Sequence, residues 1–254
     1  MMPGNPNVKP LTLPQVIGHR GAALYAPENT LAGFREAKAR GATWVEFDVR
    51  LSSDGVVFVM HDDSLLRTAG FDRLSATLPW REIKVLNAGG WFDKKYANER
   101  APSFEATIEL LAELGLGANV EIKPSPGSEV ETARAVVSAI ERHWPANLPT
   151  PLLSSFKDVS LAEAKRANPD LPRASLIGRI EGNWLERARA AEASVINTNG
   201  KKLEQAQAKA VKDAGFGLGV YTIDEPALAR QLVGWGADTV ITDAPDLIIA
   251  ALRQ

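Results

Sequence analysis

The feature that most constrains the fold of this chain is a regular alternation of short apolar runs with longer amphipathic, alanine-rich segments. Strands separated by helices of this kind imply right-handed crossovers and therefore a parallel sheet. About eight such units in a chain of 254 residues favour an α/β closed barrel, the TIM (β/α)8 barrel, over an open sheet. No Gly-x-Gly-x-x-Gly motif opens a helix after the first strand, which counts against a dinucleotide-binding fold.

The alternation can be divided into individual elements. The apolar runs predict strands at 15–18, 44–49, 56–60, 118–122, 151–155, 174–177, 195–197, 217–221 and 238–242. The amphipathic segments predict helices at 31–40, 104–114, 129–142, 161–167, 184–191, 203–214, 227–235 and 245–252.

Two stretches interrupt this pattern. Residues 50–55 are too few for a crossover helix, so the second and third strands form either a parallel pair joined by an extended return or a hairpin. Residues 62–101 have neither a helical nor a strand period, and a segment of this length is unusual for a loop. We therefore predict a single domain over 1–254 with a small subdomain inserted at approximately 62–101, near the open end of the barrel as one wall of a substrate cleft.

Composition excludes several classes of function. Twenty-nine basic and 31 acidic residues leave a net charge of −2, so no bulk positive field is present to hold nucleic acid or an anionic membrane. The chain has no cysteine, which removes disulfides, thiolate metal sites and thiol nucleophiles. Residues 1–13 lack the apolar core of a signal peptide, and no apolar run approaches membrane-span length. These observations predict a cytoplasmic protein with a small-molecule ligand.

Two of the three histidines follow strands. His19 ends the first apolar run and His61 ends the third. If both strands are parallel members of the barrel, both histidines stand at the C-terminal end, where such barrels build their active sites. His143 lies at a helix end before a proline, and a solvated or capping role is favoured for it.

Three carboxylates occupy strand positions where a carboxylate is costly. Alternation along the second strand places Glu46 and Asp48 on one face of it. The same alternation along the strand at 118–122 places Glu121 and Lys123 together on one face. Each buried carboxylate costs several kcal/mol in desolvation, about 2 or more, unless a cation is present. Three oxygen ligands favour Mg2+ or Ca2+ over zinc. The alternative is a buried salt-bridge network through Lys123 and Arg50.

Histidines, carboxylates and cations in this combination indicate metal-assisted phosphoester chemistry. The cation would polarise phosphoryl oxygens, Arg20 and Lys123 would stabilise charge in the transition state, and the histidines would exchange protons near neutral pH. Tyr221 and Trp235 lie near barrel-top and helix-end positions, where packing is at least as plausible as substrate contact. Residues 27–30 predict a helix start, capped by Asn29 or Thr30.

The chain resembles the glycerophosphodiester phosphodiesterases in an ordered set of motifs between residues 17 and 245. These are His19-Arg20-Gly21, Pro27-Glu28-Asn29-Thr30, Glu46-Phe47-Asp48-Val49, Asp54-Gly55, His61-Asp62, Asn119-Val120-Glu121-Ile122-Lys123, Ser154-Ser155-Phe156, Val220-Tyr221-Thr222 and Thr242-Asp243. The motifs look most like those of the bacterial cytosolic branch, although many members have Trp where Tyr221 stands and Asn where Asp224 stands.

The resemblance implies a TIM barrel with a subdomain after the third strand, and hydrolysis of glycerophosphodiesters such as glycerophosphocholine or glycerophosphoethanolamine to sn-glycerol 3-phosphate and an alcohol. It implies the residue roles as well. The acid/base pair would be His19 and His61, the metal ligands Glu46, Asp48 and Glu121, and the phosphate contacts Arg20 and Lys123. Glu28, Tyr221 and Trp235 are further candidate substrate contacts.

Two other functions stay open at this level. One is a related barrel phosphodiesterase, either phospholipase D-like or a cyclising lyase that acts on lysolipids and retains a cyclic phosphate product. The other is a catalytically silent binding module, although such proteins usually lose a histidine or a metal carboxylate. A monomer or a homodimer is expected.

Overall fold

Eight parallel strands close into a barrel in the computed structural model, which describes residues 12–253. The strands in chain order are β1 (Val16–His19), β2 (Trp44–Leu51), β3 (Val57–Val59), β4 (Gly117–Ile122), β5 (Leu152–Ser155), β6 (Arg173–Ile177), β7 (Val195–Asn199), β8 (Gly217–Tyr221) and β9 (Thr239–Thr242). All except β3 are barrel members, and β1 pairs with both β2 and β9 and so closes the ring. The predicted TIM barrel is confirmed.

Helices connect the strands, and all except the short α2 and α3, which belong to the inserted segment, cover the outside of the barrel. They are α1 (Leu31–Ala39), α2 (Leu66–Ala69), α3 (Trp80–Ile83), α4 (Phe104–Leu114), α5 (Glu129–His143), α6 (Asp158–Ala167), α7 (Trp184–Ala190), α8 (Gln205–Asp213), α9 (Pro226–Gly234) and α10 (Pro245–Leu252). Two large clusters of buried apolar side chains lie between the helices and the strands. A smaller cluster, which includes Ile17, Trp44 and Leu152, gathers side chains from several barrel strands.

Local sequence signals determine where several helices begin and end. The hydroxyl of Thr30 accepts a hydrogen bond from the backbone N–H of Gly33 at 3.1 Å and caps α1. Ser103 caps α4 in the same way through the N–H of Ala106. Gly115 ends α4 with φ of 63°, a left-handed conformation that favours glycine. The expected cap of α1 by Asn29 or Thr30 is therefore made by Thr30.

The link at residues 50–55 forms a hairpin, one of the two arrangements that the sequence allowed. β3 pairs antiparallel with the extended end of β2, with Val49 opposite Val59 and Leu51 opposite Val57. The chain thus returns toward the barrel along β2, and the N–H of Met60 donates to the carbonyl of Asp48 at 3.0 Å. His61 is therefore brought to the level of Asp48 by a strand that runs antiparallel to β2, and not by a parallel member of the barrel.

The segment between β3 and α4 consists of short helices and turns around an apolar cluster of its own. Phe58, Leu65 and Ile83 are fully buried in this cluster, and Trp80 packs on Phe58 with ring centroids 5.8 Å apart. The segment follows His61 at the C-terminal end of the barrel, as expected.

Within residues 12–253, no helix is both long enough and apolar enough to cross a membrane. The prediction that residues 1–13 lack a signal peptide falls almost entirely on residues 1–11, which lie outside the described residues.

Candidate active site

A cavity of about 400 Å3 opens at the C-terminal end of the barrel. Strand ends and the loops that follow them supply its walls, which is where barrels of this type carry their active sites. Seven of the residues singled out in the sequence line it: His19, Arg20, Glu46, His61, Glu121, Lys123 and Tyr221.

Three buried carboxylates cluster at this end of the barrel, and two of them, Glu46 and Glu121, line the cavity. Glu46, Asp48 and Glu121 each offer one oxygen, and these three oxygens lie within 4.8 Å of one another. The alternation along β2 and β4 produces this cluster, because register pairing sets Asp48 opposite Glu121. The structure therefore brings together the three residues that were expected to share a metal.

The carboxylates cannot all ionise easily in this position. Burial, reinforced by the charge of Asp48, raises the pKa of Glu46 to about 7 and that of Glu121 to about 8. The pKa of Asp48 is lowered, because the charges of Arg20 and Lys123 outweigh its burial. A cluster of buried oxygen donors that holds protons near neutral pH fits a hard divalent cation, which would replace those protons.

Asp48 is also the centre of a network of ion pairs and hydrogen bonds. Arg20 Nε and Lys123 Nζ each lie 3.4 Å from a carboxylate oxygen of Asp48, and Asn29 donates to Asp48 at 2.8 Å. Lys123 Nζ also lies 3.2 Å from Glu121. The alternative of a salt-bridge network is thus half correct, because Lys123 takes part in it.

Arg50 does not join that network. Its guanidinium pairs with Asp63 and donates to the carbonyl oxygen of His61 at 2.6 Å. Arg50 therefore anchors the backbone at His61 and does not neutralise the carboxylate cluster.

The backbone at two site residues adopts a left-handed conformation. Arg20 has φ of 49° and Asn29 has φ of 57°. The N–H of Asn29 donates to the carbonyl of Arg20 at 3.0 Å, and the N–H of Arg20 donates to Glu46 at 3.2 Å. Such conformations are costly and cluster at functional sites, where the surrounding structure enforces them. Here they direct both side chains toward Asp48.

His19 is oriented by a carboxylate from the far end of the chain. Its Nδ1 lies 2.6 Å from Asp243 Oδ1, and its Nε2 lies 3.8 Å from Glu46. Burial lowers the pKa of His19, but the hydrogen bond to Asp243 and the charge of Glu46 outweigh burial and leave the pKa above its usual value of 6.5. Because Nδ1 is engaged by Asp243, Nε2 is the ring nitrogen left for further contacts.

His61 has the same arrangement with a neighbour in sequence. Its Nδ1 lies 2.6 Å from Asp62 Oδ1. Burial lowers the pKa of His61 below 6.5, and Asp48 and Asp62 only partly oppose this effect. The two histidines therefore differ in proton affinity although both are paired with a carboxylate.

Tyr221, one of the expected site residues, lies at the end of β8 and lines the same cavity. Its ring packs edge-on against Phe156 with centroids 6.2 Å apart. Burial and the nearby charge of Glu121 raise the pKa of the Tyr221 phenol, which therefore stays neutral.

Two of the expected substrate contacts lie away from the cavity. Glu28 binds Arg20 and Arg67 through its carboxylate and does not line the cavity. Trp235 follows α9, which runs from the C-terminal end of β8 to the N-terminal end of β9, so its ring packs in the helix layer at the opposite end of the barrel. The expected substrate contact by Trp235 is therefore corrected to a packing role.

The inserted segment does not form the expected wall of the main cavity. Among residues 12–253, the lining of that cavity includes none from 62–101. The segment supplies only Asp63 to an adjoining cavity of about 250 Å3, which shares Glu121 and Lys123 with the main one. Its aromatic side chains pack elsewhere, since Trp80 contacts Phe58 and Trp91 lies over Arg67.

Several residues of the site had no catalytic or binding role in the sequence interpretation. Asp62 and Asp243 orient the histidines, Asn29 binds Asp48, and Asn119 lines the cavity. Asp62 and Asp243 each stand in a motif of the resemblance, and the signals that could have identified them were the position of Asp243 directly after β9 and of Asp62 directly after His61.

The barrel and this constellation of groups define a class of protein: TIM-barrel hydrolases of phosphoric diesters. The family model for the glycerophosphoryl diester phosphodiesterase family matches residues 19–247, and the chain belongs to that family. It is an enzyme of the phosphoric diester hydrolase class.

Relatives over the whole chain agree with this assignment. The chain is 31% identical to a glycerophosphodiester phosphodiesterase of Caldanaerobacter subterraneus subsp. tengcongensis, over 94% of this chain and 98% of the relative. A phosphodiesterase of Oleispira antarctica, solved in complex with the product sn-glycerol-3-phosphate, is 38% identical with a TM-score of 0.92, over 95% of this chain and 98% of the other. A glycerophosphodiester phosphodiesterase of Agrobacterium tumefaciens is 27% identical with a TM-score of 0.78, over 94% and 100%.

Proposed function

We propose that this enzyme hydrolyses small glycerophosphodiesters, such as glycerophosphocholine or glycerophosphoethanolamine, to sn-glycerol 3-phosphate and an alcohol with the help of Mg2+ or Ca2+. The observation that carries the proposal is the cluster of Glu46, Asp48 and Glu121 beside a cavity that two carboxylate-paired histidines line. The similar Oleispira antarctica enzyme was solved with the product sn-glycerol-3-phosphate, which supports the choice of substrate class.

The three carboxylates would hold the cation. When bound, a divalent ion polarises phosphoryl oxygens and lowers the pKa of a coordinated water. The three carboxylates supply the oxygen donors that such an ion prefers, and it would displace the protons that burial keeps on Glu46 and Glu121. Loss of one ligand leaves the other two mutually repelling and without their shared counterion.

Arg20 and Lys123 would bind the phosphate group. Their charged atoms flank Asp48 from two directions and both side chains remain about one fifth exposed toward the cavity, at 17% and 20%. A phosphodiester placed between them gains charge-assisted hydrogen bonds that strengthen as negative charge develops on the phosphoryl oxygens.

His19 and His61 would divide the proton transfers. Hydrolysis forms a bond from the water oxygen to phosphorus and breaks the bond from phosphorus to the alcohol oxygen. One histidine removes a proton from the attacking oxygen, and the other gives a proton to the departing alkoxide. Asp243 and Asp62 keep each ring in the orientation that leaves Nε2 available.

The test is an assay of sn-glycerol 3-phosphate release from glycerophosphocholine with and without a chelator. We expect chelation to abolish release and added Mg2+ or Ca2+ to restore it, and Glu46→Ala to lose metal binding and rate together. His143→Ala is the matched control, because His143 pairs with Glu105 on the outer surface. Full activity after exhaustive chelation would contradict the metal role, and a cyclic phosphate as the final product would instead identify a lyase.

A further inference from the structure

Arg67, in the inserted segment, has three guanidinium nitrogens engaged by two carboxylates. Its Nε donates to Asp62 Oδ2 at 2.6 Å. Its Nη1 and Nη2 donate to the two oxygens of Glu28 at 2.8 and 2.7 Å. Bidentate contacts of this kind fix the plane of both partners and not only their distance.

Each of these carboxylates also binds a residue that lines the cavity. Asp62 binds Nδ1 of His61 at 2.6 Å, and Glu28 accepts from Nη1 of Arg20 at 2.8 Å. Arg67 itself does not line the cavity. The guanidinium of Arg67 therefore connects Asp62, the partner of His61, with Glu28, the partner of Arg20. Arg67 and Glu28 are 39 positions apart in the sequence.

We propose that Arg67 is a positioning residue, through which the inserted segment holds His61 and Arg20 in their working orientations. The proposal rests on the proposed function for the roles of these two residues. It explains why the segment lies at the C-terminal end of the barrel although none of its aromatic side chains lines the main cavity. The ring of Trp91 lies 5.8 Å from the central carbon of this guanidinium, within the range of a cation–π contact.

A purely structural role for Arg67 predicts different behaviour. Its side chain is 43% exposed, so solvent screens its ion pairs, and the more buried Glu28, 11% exposed, keeps Arg20 as a partner when Arg67 is lost. Loss of the guanidinium should therefore leave the melting temperature nearly unchanged. Loss of orientation at His61 and Arg20, by contrast, should appear in the kinetics.

The experiment compares Arg67→Gln and Arg67→Lys with Arg187→Gln as a matched control. Arg187 makes a bidentate pair with Asp158 at 2.8 and 2.9 Å and is 30% exposed, but it lies on α7, away from the cavity. For Arg67→Gln we expect kcat/KM for glycerophosphocholine to fall by roughly 10–100-fold, the range for partners that orient functional side chains. The control should retain wild-type kinetics, and all three variants should melt within the same narrow range.

Arg67→Lys separates charge from geometry. A lysine keeps the positive charge but offers no planar fork to two carboxylates. We expect it to rescue less than half of the lost kcat/KM on a logarithmic scale. Full rescue by lysine would overturn the positioning role, and so would a loss of activity that only matches the loss of folded protein.

The two branches of the network can be measured separately. Asp62→Asn should mainly lower kcat, because it acts on His61, and Glu28→Gln should mainly raise KM, because it acts on Arg20. When Arg67→Gln is combined with either variant, the losses should be smaller than the product of the single losses, since the residues act through one network. Fully multiplicative losses in both combinations would overturn the proposal.

A readout without turnover distinguishes this proposal from the proposed function. The ring 15N shifts of His61 report which nitrogen carries the proton, and we expect Arg67→Gln to change them while those of His19 stay as in the wild type. If the wild type releases no sn-glycerol 3-phosphate, the proposed function fails, and the shifts still test the coupling. Unchanged shifts at His61 would overturn the positioning role.

Discussion

Glu121→Gln should make the metal-free protein more stable at neutral and alkaline pH. Burial and the charge of Asp48 raise the pKa of Glu121 to about 8, from 4.5 in an unfolded chain. Above pH 4.5 the unfolded chain releases this proton while the folded protein keeps it, so stability falls as pH rises until the folded pKa is reached. Glutamine has the shape of the protonated side chain and carries no such penalty.

The expected magnitude follows from this difference in pKa. Each pH unit between the two pKa values costs about 1.4 kcal/mol. Between about pH 5 and about pH 8, the stability of Glu121→Gln relative to the wild type should therefore rise by roughly 3 to 4 kcal/mol. Carboxylates outside the cluster of Glu46, Asp48 and Glu121 titrate equally in both proteins and cancel in the difference.

The assay is urea unfolding of chelator-treated protein at several pH values, with Glu109→Gln as control. Glu109 is exposed on α4, so its curve should run parallel to that of the wild type. A divalent cation at about 100 times its dissociation constant should then restore about 2.7 kcal/mol to the wild type and much less to Glu121→Gln. Parallel curves for Glu121→Gln and the wild type would refute the reasoning, because they would mean that Glu121 ionises freely in the folded protein.

Three further predictions concern the histidines and one helix cap. One of His19 and His61 is the acid, and its replacement by Ala should lower the rate on glycerophosphocholine by roughly 10²–10⁴-fold. The same variant should keep much of its rate on a glycerol nitrophenyl phosphodiester, because that leaving group needs no proton. Equal losses on both substrates in both variants would contradict this division. In metal-free protein, NMR titration should give His19 a pKa above 6.5 and His61 one below it, and Asp243→Asn should lower the pKa of His19 because burial then prevails. The stability linked to His19 is accordingly present below pH 6.5 and lost as pH rises through the raised pKa. Thr30→Ala should cost about 1 kcal/mol in urea unfolding by removing the cap of α1, and an unchanged midpoint would show that the cap contributes nothing.

Periodicity in the sequence was sufficient to predict the barrel. Strands that are covered on both faces become apolar runs, and helices that are covered on one face become amphipathic segments. β8 at Gly217–Tyr221 and α10 at Pro245–Leu252 therefore have the bounds that the pattern predicted. The same period of two placed Glu46 and Asp48 on one face, and the structure brings them together with Glu121. These features depend on neighbours in the chain, which a single sequence displays.

Other features could not be predicted because two arrangements satisfied the same pattern. A link at 50–55 permits a parallel return or a hairpin, and only the pairing of Val49 with Val59 decides between them. Trp235 stands at a helix end, but a pattern of amphipathicity does not tell which end of the barrel that helix end faces. The inserted segment has no period, and its aromatic side chains suggested a wall of the substrate cleft, whereas Trp80 packs on the apolar cluster of the segment and Trp91 lies beside Arg67.

The sequence by itself determined the fold class and the residue types that can bind a cation and transfer protons. Only the tertiary structure decided how those residues are held. His19 meets Asp243 across 224 positions of the chain, and Arg67 meets Glu28 across 39. Closure of the barrel and the folding of the insertion create these pairs. Contacts between distant segments leave no period in the sequence, because each partner is constrained by its position in space and not by its neighbours in the chain.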